Sequence, residues 1–411
     1  MASQGYESAI SRRLRGFAQS VMPSQLSPAS KLFLAGGALN GFSNGVFNSI
    51  LQLYLVSQGF SALSLGKVFL FNPLASVLFS IPVGLLADRY GKRPFIVLGM
   101  VFASVGIGGF LLSQTLSGYA VSFFLFGVCN ATFTVLAPLY TGFHRREDLD
   151  KAFGLYGLVN LFAMSLGNLG GTIPPLLIRE LGLTEYLAYR QVLLVASTLF
   201  IAQYFFYLAS TRGLAETRNK GFQLRLQSWR TVLEFCFIFF AINLVGGIFF
   251  GLFPYYVHSK FGVSSGELGS LFFLSNFTMA LSNGLASMVS SKLGTIKSAA
   301  LGIGLSSLFF FLMPLSPSFQ ILAVFYLART ATRFMSDPLL TSIFMRSVGK
   351  EELSTANSMR TISMNLAGMF SPWLGGLLME QVSLDAPAFI GAGLTLILSL
   401  IYPLVLRDGE D

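Results

Sequence analysis

Apolar runs of membrane-crossing length follow one another along almost the whole chain, and no soluble fold accommodates such a series. A bilayer-spanning helix needs roughly 20 mostly apolar residues. Runs of this kind fall at 32–57, 66–87, 94–113, 117–141, 152–178, 187–209, 231–257, 266–290, 296–314, 319–345, 354–380 and 384–406. Inside hydrocarbon, backbone N–H and C=O groups must be bonded within the spanning structure itself. The runs therefore predict an all-α integral membrane protein of twelve transmembrane helices, and short connections make neighbouring helices antiparallel. Composition agrees, with 11% charged residues against about 25% in a soluble domain.

One connection differs. Residues 210–230 carry Arg212, Arg218, Lys220, Arg225 and Arg230 and read as a linker between a bundle at 31–209 and a second at 231–407. A basic tail, 1–30, and a short end, 408–411, complete the division. The tail is expected to be mobile or to lie on anionic headgroups. Of the 27 Lys and Arg, only Lys67, Arg179, Arg190 and Lys260 fall on the side away from the termini, while Arg329 and Arg333 lie inside a span. The positive-inside bias then places both termini in the cytoplasm of a plasma or inner membrane. A net charge of +9 spread over short clusters between apolar runs, rather than along one stripe, does not suit a nucleic acid. Cys129 and Cys236, each within an apolar run, read as packing residues.

The two halves resemble each other at a nearly constant shift. Asn160-Leu161, Met164 and Leu169-Gly170-Gly171 match Asn365-Leu366, Met369 and Leu374-Gly375-Gly376, while Pro138-Leu139 matches Pro338-Leu339 and Tyr54 matches Tyr256. Six helices separate the partners, so both halves share one orientation. That is a parallel repeat about an axis along the membrane normal.

The loop after the second run reads Gly84-Leu85-Leu86-Ala87-Asp88-Arg89-Tyr90-Gly91-Lys92-Arg93. It resembles the signature of the major facilitator superfamily in residue types, spacing and position, and the resemblance extends over about 31–407. Its counterpart around Gly294 is degenerate, with Ser291 where the Asp would stand. The resemblance implies two parallel six-helix bundles and alternating access. It also implies a gating role for Gly84, Asp88, Arg89, Gly91 and Lys92, with Asp88 facing the start of helix 11 near Ser354–Asn357. A carboxylate suits that place, because the first turn of a helix offers orphan amides and a positive dipole end. The family's drug exporters carry an Arg four residues before a helix-4 Gly. Here Phe123 precedes Gly127, which counts against a proton-driven drug antiporter.

Polar groups within a bilayer should face a cavity or each other. Asn40, Asn44 and Asn48 share one face of helix 1, with Gln52 beyond them. The stripe reads as a cavity wall or as helix–helix glue. Helix 10 places Tyr326, Arg329, Arg333 and Asp337 on one face. Each mid-bilayer Arg costs roughly 2.5–3.5 kcal/mol unless solvated or paired. Asp337 can neutralise Arg333, leaving Arg329 for an anionic substrate group or for a structural network. Asn160, Asn243, Asn276 and Asn365 are further pathway candidates, and Asp337 and Glu234 are candidates for coupling.

These features point to a secondary transporter of a small organic solute, with an anion as the favoured class and efflux of amphipathic compounds as the alternative. His144 and His258 lie apart, without metal-ligand spacing, and no phosphate-cradling loop appears, so neither an enzyme nor an ATP-driven pump is expected. The expected partners are a small-molecule substrate and the lipid bilayer. No nucleic acid, cofactor or metal is expected, and the expected state is a monomer.

Overall fold

The computed structural model describes residues 23, 26–212, 228–349 and 352–405. Most of the expected tail, the linker between 212 and 228, and the end at 408–411 lie outside the described residues. Twelve spans follow in order: α1 Pro28–Val56, α2 Ala62–Tyr90, α3 Arg93–Leu112, α4 Leu116–Thr132 with its continuation Leu136–Thr141, α5 Leu149–Asn168 with its continuation Ile173–Leu181, α6 Glu185–Ser210, α7 Trp229–Phe250 with its continuation Phe253–Phe261, α8 Ser265–Leu293, α9 Thr295–Leu312, α10 Phe319–Arg346, α11 Leu353–Gln381 and α12 Ala386–Val405.

Several helices begin before their apolar runs, because capping residues start them. At the end of the bundle remote from the termini, called the far end below, Ser61 Oγ accepts from Ser64 N, Thr115 Oγ1 from Gly118 N and Thr184 Oγ1 from Leu187 N. Ser264 and Glu267 there form a reciprocal capping box at the start of α8. Each such cap contributes about 1 kcal/mol. Seven spans, α2 to α7 and α9, are apolar enough to cross a membrane on length and composition alone. Helices α1, α8, α10, α11 and α12 fall outside that set; α1 carries the amide stripe and α10 the two half-buried arginines.

The halves repeat one pattern of helix pairing. In the first, α1 packs on α5 and α6, α2 on α4, and α3 on α4 and α6; in the second, α7 packs on α11 and α12, α8 on α10, and α9 on α10 and α12. Small residues make the closest pairs possible. A Cβ at Gly41 would meet Asn160 O at 2.2 Å, and one at Gly375 would meet Ile248 O at 1.9 Å. The turn after α2 also recurs after α8. Gly91 and Gly294 take φ 93° and 83°, a conformation that glycine alone adopts freely. The second-half loop thus keeps the backbone shape of the first after losing its aspartate.

Candidate functional site

Contacts between the halves concentrate at the far end. Helix α2 lies against α11 so closely that a Cβ on Gly66 would stand 2.5 Å from Pro372 O, and one on Gly376 2.4 Å from Ala62 O. Ser265 Oγ of α8 donates to Gly171 O of α5 at 2.7 Å, and Leu63 N donates to Glu380 Oε1 at 2.9 Å. Toward the terminus end the same helices part: a Cβ added at Gly84, Gly154, Gly157 or Gly284 would meet nothing within 4 Å. The bundle is closed at the far end and open at the other.

Gln52 joins the halves in a specific way. Pro254 has no N–H to offer Phe250 O, and its ring crowds that carbonyl, so α7 breaks at Gly251 and Leu252. Gln52 Nε2 donates to Gly251 O at 2.9 Å while its Oε1 accepts from Tyr255 N at 3.2 Å. A continuous helix would pair those two backbone groups with each other. The side chain of one half therefore completes a rung of a helix in the other.

Beneath this closure lies a cavity of about 390 Å³. Asn44, Asn48, Gln52, Asn72 and Asn130 line it together with Phe47, Phe69, Phe110, Phe123, Phe126 and Phe200, and Gly251, Gly368 and Pro372 come from the second half. Asn130 Nδ2 donates to Asn72 Oδ1 at 3.1 Å. The helix-1 stripe divides here. Asn160 Nδ2 reaches Gly37 O at 3.0 Å and Asn40 Oδ1 at 3.4 Å, so Asn40 and Asn160 tie α1 to α5. Asn44, whose Nδ2 donates to Asn40 O at 2.8 Å, and the exposed Asn48 border the cavity. Asn72 and Asn130 were not among the expected pathway residues. Their signal was a lone amide beside Pro73 in an otherwise apolar run and an Asn-x-Thr triplet too deep for glycosylation.

On the second half, Arg333 pairs with Asp337 one turn along α10. The Arg329 guanidinium lies 3.7 Å from the centroid of Phe250 and 5.5 Å from that of Phe310, and its Nε has no hydrogen-bond partner among the described residues. Stacking on rings retains a cation without neutralising it. Tyr326 stacks on Phe253 with centroids 4.6 Å apart. Arg360, counted among the terminus-side cations although the run 354–380 contains it, belongs to this group. It sits two turns into α11, where Nη1 donates to Thr341 Oγ1 at 3.1 Å.

The other candidates are scattered. Asn243 bonds back to Phe239 O at 2.8 Å, and Asn276 is buried with its Nδ2 unpartnered among the described residues. Asn365 is half-buried, and Glu234 is exposed in the first turns of α7. His144 and His258 lie at span ends, His144 Nε2 2.9 Å from Ser30 Oγ and His258 Nδ1 2.9 Å from Val263 O.

At the open end Asp88 and Arg89 are exposed, and Asp88 has no hydrogen bond or ion pair among the described residues. The contact to the start of α11 that the sequence suggested is therefore not formed in this state. If that contact forms when the open end closes, Asp88→Asn is expected to impair flux more than expression. Parental flux together with parental inter-half distances in the variant would rule out a gating role.

Comparison with known proteins places this geometry. The profile of the Major Facilitator Superfamily matches residues 33–234 and 235–411. The chain is 23% identical over 339 residues to an uncharacterized MFS-type transporter, MJ1560, of Methanocaldococcus jannaschii, covering 79% of this chain and 84% of that one. Among solved structures, the nucleoside transporter NupG matches with a TM-score of 0.70 at 15% identity, over 93% of this chain and 99% of that one. A bacterial homologue of the iron transporter ferroportin, in an inward-facing state, matches with a TM-score of 0.72 at 12% identity, over 93% and 100%. At such identities the likeness to solved structures extends to the fold alone.

Proposed function

Because this chain belongs to the Major Facilitator Superfamily, and is thus a multi-pass transporter of a small molecule rather than an enzyme, we propose that its cargo is an organic anion with an apolar, ring-sized body. The observation that carries this reading is the asymmetry of the site. The first half offers phenyl rings and carboxamides, which take up an apolar body and orient its polar groups. The second half offers Arg329, un-neutralised on its own face and stacked on Phe250, next in sequence to cavity-lining Gly251. A guanidinium fork suits a carboxylate or phosphate. The Lys and Arg distribution supports a cytoplasmic terminus end, so that the open end faces inward, and Asp337 is the carboxylate best placed for coupling.

A stability screen of the purified protein across anionic, neutral and cationic solutes tests the assignment. Anions should stabilise most. Equal stabilisation by neutral or cationic amphiphiles would favour efflux of amphipathic compounds, a reading that the six phenylalanines of the cavity support. Asn44→Leu should weaken binding by roughly tenfold, the effect of losing one or two hydrogen bonds at about 1 kcal/mol each. It should leave the fold intact, since Asn44 bonds only within its own helix. A cysteine at position 44 that resists aqueous labelling in every condition would contradict this placement.

A further inference from the structure

Two lateral grooves related by the internal repeat flank the far-end closure. One lies among α5, α8 and α10, and the other, of about 620 Å³, among the counterpart helices α11, α2 and α4. The second is lined by Phe71, Leu116, Val121, Phe124 and Trp373, with Lys67 as its one charged group. We propose that this α2–α4–α11 groove binds an anionic phospholipid of the far leaflet, its headgroup phosphate on Lys67 and one acyl chain along the apolar wall.

Charge accounting selects this groove. Of the four basic residues on the far side, Arg179 pairs with Glu180 at 2.7 Å and Lys260 with Asp385 at 2.6 Å, while Arg190 lies over the Tyr186 ring at 5.9 Å. Lys67 alone has no ionic, hydrogen-bond or ring partner among the described residues, and it is exposed. The related groove carries its cation already paired and adds Glu267 to its lining, which disfavours a phosphate. Depth agrees as well. Lys67 stands five residues into α2, about 8 Å along the helix, within reach of the headgroup layer for a snorkelling side chain.

Position gives the site a consequence. Lys67 follows Gly66 and Trp373 follows Pro372, the residues at which the halves touch. A lipid seated there contacts both halves and favours the far-closed state by its differential affinity.

The test uses the full chain in detergent, with phosphatidylglycerol or phosphatidylcholine of identical acyl chains added. Native mass spectrometry counts retained lipid, and thermal unfolding reads stabilisation. The parent should retain phosphatidylglycerol preferentially and gain thermal stability from it. Lys67→Gln should lose that preference, Val121→Trp should lose retention by filling the groove, and Arg179→Gln should keep both. Equal retention of the two lipids by the parent, or a Lys67→Gln variant indistinguishable from it, overturns the proposal.

Discussion

Gly376→Val abolishes transport while both six-helix halves stay folded, and the far end stands open. The expectation follows from where the clash falls. The nearest atoms to a Cβ at Gly376 are Ala62 O at 2.4 Å and other backbone atoms of α2, all from the opposite half. Backbone cannot give way as a flexible side chain would. Overpacking costs about 1–3 kcal/mol, and here it falls only on the state in which α2 and α11 meet. Since about 1.4 kcal/mol is a factor of ten in an equilibrium, the ratio of far-closed to far-open protein drops by roughly five- to 150-fold. Spin labels placed across the α2–α11 seam should report longer distances in the valine variant. A parental distance distribution would show that the seam relaxes around the added methyls and would defeat the prediction.

Arg329→Gln is expected to weaken binding of anions by roughly ten- to 100-fold, as loss of a charged hydrogen bond of about 1.5–3 kcal/mol implies, and to leave neutral analogues little changed. Arg329→Lys restores only part, because an ammonium lacks the planar fork and stacks less well on Phe250. Arg333→Gln behaves differently: it removes the ion-pair partner of Asp337 and lowers the thermal midpoint. The penalty is moderated because the Asp337 side chain is 40% exposed. Isothermal titration with an anionic ligand and its neutral isostere separates the cases. Equal losses for both ligands in Arg329→Gln would leave Arg329 a packing residue, held by Phe250 and Phe310.

The spans and the repeat were legible because hydrocarbon forces each segment to satisfy its own backbone, so that apolar runs and helices nearly coincide. Their ends were less so. Ser61 and Ser264 start α2 and α8 through capping bonds that hydropathy does not register. Within the site, spacing placed Asn40, Asn44 and Asn48 on one face but could not say where a neighbouring helix covers it. That depends on Gly37, Gly41 and Gly45, one residue round the helix, which bring Tyr156, Asn160 and Met164 of α5 into contact. Arg360 falls inside the run 354–380, yet counting it with the terminus-side cations hid its place two turns into α11.

The rung that Gln52 completes in α7 also bears on how readily the protein moves. In a far-open state that draws Gln52 away with its half, the Gly251 carbonyl and Tyr255 amide must bond each other or water. The glutamine exchanges its backbone partners for water at the same moment. Each exchange replaces one hydrogen bond by another, so opening need not orphan a polar group. A lock of this kind contributes direction and fit more than energy, which leaves cargo binding able to tip the balance.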